Sequence, residues 1–180
     1  MVSRNRIKTR LVCQNSVISP VGGVNLAGFL ADSSGVPEHP MRIFGRYAVV
    51  YLLNGQGRYR DKSGVDVSVR PGDLIFVFPD LPHSYGPLPD RRWDEFYIVF
   101  DGPIFHTWQE TGLISVSRPV SHLEPVEYWL RRLVAAAGES IGEMRRSRWT
   151  GWCACSNCWR TSSRRQRITK PIEHGWRVPG

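Results

Sequence analysis

The chain has 180 residues and a mass of 20.5 kDa, room for one domain of the usual ~100–150 residues with an extension, and too little for two. Hydrophobic residues make up 41% and charged ones 22%, enough apolar matter to bury a core. The formal charge of +8 suggests an acidic partner such as nucleic acid, but residues 1–136 carry 15 Lys and Arg against 13 Asp and Glu, whereas residues 137–180 carry 9 against 3. The basic character therefore belongs to the tail, which leaves the body of the chain nearly neutral.

The first 20 residues are polar and basic with no apolar stretch of signal-peptide type, and the longest apolar runs, such as Tyr47 to Leu53, are far too short to span a bilayer. The expectation is a cytoplasmic protein without a membrane partner. Cys13 stands alone and Cys153, Cys155 and Cys158 crowd together, which is no disulfide framework. Within this N-terminal arm, residues 1–20, Arg4, Arg6, Lys8 and Arg10 form a basic strip that a solvated terminus would explain.

From Tyr47 the pattern is strand and turn at short intervals. Tyr47-Ala-Val-Val-Tyr-Leu-Leu is apolar on both faces and fits a strand inside a sandwich or barrel. Asn54-Gly55 accepts positive φ at both centres of a type I′ turn, so Gly57-Arg58-Tyr59-Arg60 is expected to return as its hairpin partner. Asp61 to Gly64 turns again, and Val65, Val67 and Val69 alternate with polar residues as a half-buried strand should. Pro71-Gly72-Asp73 leads into the apolar strand Leu74 to Phe78, and a Pro-broken loop then delivers His83, Ser84 and Tyr85. Trp93 to Phe100 is the next strand. Short strands at such regular spacing without long intervening helices predict an all-β sandwich or closed barrel and exclude a βαβ sheet.

A helix is expected after the strands. Ser121-His-Leu-Glu offers a capping box, with Pro125 in the tolerated first turn, and Val126, Trp129, Leu130, Leu133 and Val134 fall on one face. That stripe has two readings, packing on the chain's own sheet or serving as a subunit interface.

Three segments carry a resemblance: Tyr47 to Tyr59, then Arg70-Pro-Gly-Asp to Pro79-Asp-Leu-Pro-His-Ser-Tyr-Gly-Pro87, then Arg92-Trp-Asp-Glu-Phe-Tyr-Ile-Val-Phe-Asp-Gly-Pro103. In order and spacing they resemble the cupin-type effector-binding and dimerisation domain of AraC-family transcription regulators, over roughly residues 20–136. The resemblance implies a double-stranded β-helix barrel over residues 21–118, whose mouth binds a small-molecule effector, often a sugar, and a dimerisation helix over 119–136. It implies a homodimer, or a heterodimer with an intact relative, through Val126, Trp129, Leu130 and Leu133. It also makes it plausible that the basic arm folds over the pocket or touches a DNA-binding domain.

A sugar site needs an aromatic wall and a few polar groups in an otherwise apolar recess. Trp93 or Tyr97 can stack on a sugar ring while Arg42, His83 and Tyr85 hydrogen-bond its hydroxyls, although Trp93 also suits plain core packing and His83 an ordinary hydrogen-bonding role. The rival is a metal-dependent cupin enzyme acting on a carbohydrate-like substrate. Against it, His83 is the single surviving ligand of the cupin pattern: the segment around Gly45, Arg46 and Tyr47 lacks a His-x-His pair and Asn54-Gly-Gln-Gly lacks a carboxylate. No nucleophile or paired acid and base stands out, so neither an enzyme nor a cofactor is expected. Gly55-Gln56-Gly57 is a hairpin turn rather than a dinucleotide fingerprint.

The regulators continue into a DNA-binding domain of on the order of 100 residues, and 44 follow Ala136, so the expectation is a chain truncated before it, with no direct DNA binding. In the tail, Cys153, Cys155, Cys158 and His174 invite a zinc reading but lack paired knuckles. With one choice of GC-rich codons, Trp149 to Arg160 in a shifted frame reads Asp-Gly-Leu-Val-Arg-Leu-Gln-Gln-Leu-Leu-Ala, an amphipathic helix. The tail is accordingly expected to be disordered and out of frame.

Overall fold

The structure, a computed structural model of the chain, describes residues 8–14, 19–36 and 40–138. Among these, the short-strand pattern becomes nine strands and two helices: β1 (Lys8–Gln14), β2 (Gly23–Ser33), β3 (Tyr47–Asn54), β4 (Gly57–Asp61), β5 (Asp66–Val69), β6 (Asp73–Val77), β7 (His83–Pro87), β8 (Trp93–Asp101), α1 (Pro103–Glu110), β9 (Val120–His122) and α2 (Val126–Ala136). They build two antiparallel sheets, a six-stranded one in the order β1-β2-β8-β3-β6-β9 and a three-stranded one in the order β5-β4-β7.

The three most apolar runs, β8, β3 and β6, lie side by side at the centre of the large sheet because that sheet is covered on both faces. On the inner face Ala48, Val50 and Leu52 of β3, Ile75 and Val77 of β6, and Trp93 and Val99 of β8 meet Tyr59, Val69 and Tyr85 from the small sheet, forming the barrel core. On the outer face Tyr47 stacks on Phe100 at 5.9 Å, and α1 closes over them: Phe105 lies 4.5 Å from the Phe100 ring, and the Tyr47 hydroxyl donates to Gln109 Oε1 at 2.7 Å. The all-β, cupin-like barrel followed by a helix is the fold the sequence called for.

Several local expectations are corrected. The Asn54-Gly55 turn does not make a hairpin of β3 and β4. Both edges of β3 are taken by β6 and β8, so the chain crosses to the other sheet, where β4 pairs with β5 and β7. Gly55 alone of the two takes positive φ, at +93°, and a Cβ there would sit 2.7 Å from the Trp93 Cβ, so glycine is needed for close approach as well as conformation. In β5, Val69 is buried, but Val67 is 37% exposed, since β5 is an edge strand with little above it. His83, Ser84 and Tyr85 lie on strand β7 rather than on a loop.

The barrel also extends beyond residues 21–118. Lys8–Gln14, part of the expected arm, is an edge strand on β2, and β9 pairs Val120, Ser121 and His122 with Ile75, Leu74 and Asp73. That pairing overrides the capping box: Ser121 is extended, Pro125 takes the N-cap position, and the helix begins at Val126. His122 fastens the junction, with Nδ1 2.6 Å from Asp73 Oδ1 and Nε2 3.1 Å from Glu124 Oε1, and the buried Tyr51 hydroxyl donates to the Leu123 carbonyl at 2.8 Å.

The predicted stripe of α2 faces the protein: Val134 and the following Ala137 are buried, and Val126, Trp129, Leu130 and Leu133 are half-buried. Glu127, Tyr128, Arg131 and Arg132 occupy the exposed side, with Glu127 and Arg131 paired. Helix α1 was not anticipated. Arg4, Arg6, the tail cysteines, His174 and the reading-frame question at residues 139–180 lie outside the described residues.

Candidate functional site inside the barrel

Alternation along two strands places the candidate side chains. On β7 the period of two points His83 and Tyr85 to one face, and on β8 it points Trp93, Glu95 and Tyr97 to one face. The strands belong to different sheets, and their inward faces meet. The His83 and Tyr85 rings are parallel within 5° at 5.9 Å between centroids, and Tyr85 and Trp93 are within 20° at 6.0 Å, so three rings run in a series through the interior. His83 and Trp93 are each 1% exposed and Tyr85 7%. Tyr97, half-buried, packs against the same core. Arg42 joins through its backbone, exchanging hydrogen bonds with His83 at 2.9 and 3.0 Å, while its exposed guanidinium lies over the Phe44 ring at 4.2 Å.

The five predicted residues are therefore brought into one neighbourhood, with Trp93 also part of the packed core. Sequence reasoning missed a sixth, Glu95, a carboxylate only 3% exposed. Its signal was its place between Trp93 and Tyr97 in the same alternation, which puts an acid on an interior wall where an apolar residue is the rule.

The polar atoms here have distinct states. His83 Nδ1 lies 2.8 Å from the Leu81 carbonyl, which can only accept, so Nδ1 carries the proton. Burial, with the Arg42 charge adding to it, holds the imidazole pKa below its ordinary value and keeps it neutral, so Nε2 is an acceptor. Burial pushes the Glu95 carboxyl up to about 7. The Trp93 indole N–H and the Arg42 charge offset part of this, although the indole is not in hydrogen-bonding geometry with the carboxylate. The Tyr85 hydroxyl is likewise raised, by burial first and by Glu95 second. His83 Nε2, Trp93 Nε1 and Glu95 Oε2 are all buried without a hydrogen-bond partner. Buried polar atoms in folded proteins are overwhelmingly paired, so these three, like Asn25 Oδ1, are exceptions to that rule.

The interior does not fit a metal. It offers the single Nε2 of His83 and the Glu95 carboxylate, and among the described residues no three His, Cys, Asp or Glu side chains gather as a metal site. Two clefts of about 470 Å³ lie apart from the five predicted residues: one between Tyr47, Phe78, Leu81 and the α1 residues His106 and Glu110, the other around Asn25, Arg46, Asp101 and His106.

The model of the AraC-like ligand binding domain matches residues 28–148, two thirds of the sequence. The chain belongs to that family. As an AraC-like ligand binding domain it is a small-molecule-binding barrel, in keeping with the ring series and partner-free polar atoms of its interior. Similar solved structures include a cupin superfamily protein from Desulfitobacterium hafniense, at 13% identity over 55% of this chain and 81% of that one, with a TM-score of 0.40. A cupin 2 conserved barrel domain protein from Salinispora arenicola is 15% identical over 58% and 83%, at 0.39. The DMSP lyase DddQ from Ruegeria pomeroyi is 15% identical over 54% and 48%, at 0.40. No curated protein matches the chain.

Proposed function

We propose that this AraC-like ligand binding domain is the effector-sensing and dimerisation part of an AraC-type transcription regulator working in the cytoplasm, and that its effector, a sugar or sugar-like polyol, binds inside the barrel. The supporting observation is the interior series His83, Tyr85 and Trp93 flanked by buried polar atoms without partners. Tyr85, Trp93 and Tyr97 offer flat apolar faces for a ring, and His83 and Arg42 offer polar contacts to its hydroxyls. The effector would order this packed interior and shift the balance between conformations of the regulator.

For pairing, Trp129, Leu130, Val126 and Leu133 of α2 are half-buried in a single copy and would complete their burial against a second. The partner is then another copy or an intact relative. A thermal-shift screen of sugars tests the sensing part: a true effector raises the midpoint of the wild-type chain. Tyr85→Phe and His83→Asn should reduce that rise, and a sugar that stabilises all three chains equally would place its site elsewhere. Sedimentation velocity tests the pairing, with Trp129→Ala expected to weaken self-association without unfolding the barrel.

A further inference from the structure

The hydrogen-bonding inventory of the interior is lopsided. His83 Nε2 is an acceptor because Nδ1 is committed to the Leu81 carbonyl, and Glu95 Oε2 becomes a second acceptor once the carboxyl ionises, against one partner-free donor, the Trp93 N–H. Glu95 is also a potential anion, and among the described residues no Lys or Arg is within ion-pair distance of it. Arg42 influences it only through its field, from an exposed position over Phe44. A buried carboxylate without a cation is costly and persists where a bound group offsets the cost. The group that would hold Glu95 ionised in place is thus a donor bearing positive charge.

We propose that the effector carries a basic nitrogen received by Glu95, making its class a polyhydroxylated amine, such as an amino sugar, rather than a neutral sugar. This rests on the reading that the barrel interior is the effector site. An ammonium supplies up to three N–H donors, one of which Glu95 Oε2 would accept, while hydroxyls of the same effector would serve His83 Nε2 and the Trp93 N–H. Burial favours the protonated form of Glu95 in the empty barrel, so the amine must compete with that proton, and its affinity should fall as the carboxyl protonates.

Isothermal titration of the full chain with matched probes tests this: glucose, galactose and mannose, their 2-amino-2-deoxy forms, and the N-acetylated forms, which keep the nitrogen but lose its charge. The expected result is that an amine binds roughly tenfold or more tightly than its neutral parent and its acetylated form at about pH 8, with affinity falling up to about tenfold per pH unit below about 7. In Glu95→Gln the affinity ratio of amine to neutral parent should fall to about one. Equal or tighter binding of the neutral sugars, or an amine preference that survives in E95Q, overturns the proposal and leaves the sensing reading standing. If no member of the panel binds the folded wild-type chain, both fall. Should E95Q not fold, the wild-type amine-to-parent ratio and its pH dependence decide the matter alone.

Discussion

Replacing Glu95 with Gln tests the interior electrostatics without any ligand. Burial raises the carboxyl from its ordinary 4.5 to about 7. Between these values the folded chain holds a proton that the unfolded chain has released, so folding becomes weaker as pH rises through the window and levels off above it. At 1.36 kcal/mol per pH unit, the full window corresponds to about 3 kcal/mol, a substantial part of the 5–15 kcal/mol that typically holds a domain folded. Gln matches the size of the neutral carboxyl and never ionises. E95Q should therefore gain up to about 3 kcal/mol over wild type at about pH 8, and almost nothing at about pH 4.5, less any cost of an unpaired amide N–H. Urea unfolding of both chains across that range gives the difference directly, because every other titrating group is common to them. A difference that does not grow with pH would refute the argument, since Glu95 would then titrate alike in the folded and unfolded chains.

Three further outcomes are expected. The His83 imidazole is held below its ordinary 6.5, so the wild-type chain should gain stability from this residue as pH rises toward 6.5; His83→Asn should remove that gain, seen as improved relative stability at about pH 5 but not at about pH 8. Gly57→Ala would put a Cβ 2.0 Å from the Gly86 carbonyl oxygen and 2.8 Å from the Trp93 ring, and should cost about 2 kcal/mol or more in the urea midpoint; a neutral result would mean that β4 and β7 can part easily. Tyr51→Phe removes the buried bond to the Leu123 carbonyl and should cost about 1 kcal/mol, with amide exchange in α2 accelerated if that bond anchors the junction.

Much of this protein was readable before any fold was known, and the limits of that reading are physical. Runs apolar on both faces, Tyr47 to Leu53 and Leu74 to Val77, announced strands buried on both sides, and they stand at the centre of the large sheet. Alternation along the expected strand from Trp93 also sets Trp93 with Tyr97 on one face, whereas the pairing of His83 with Tyr85 came only with β7, where a loop was expected. Where two local preferences competed, pairing decided. Asn54-Gly55 is a good hairpin turn, but β3 had no free edge for β4; Ser121 is a good helix cap, but β9 had a partner in β6. The half-buried helix stripe was legible as apolar, yet helical periodicity alone could not distinguish packing on the chain itself from packing on a second subunit.

Glu95 shows the same boundary within the site. Its position in the chain assigns it to the face of Trp93 and Tyr97, and this much follows from strand geometry alone. That the face is closed over, that Tyr85 and His83 arrive from the opposite sheet, and that the carboxyl is consequently stripped of water and raised to about 7 are consequences of two sheets meeting. Strand periodicity is local and survives in the order of residues. Burial, and the chemistry that burial confers on an acid or an imidazole, depends on segments far apart in sequence coming together, and only the tertiary structure decides it.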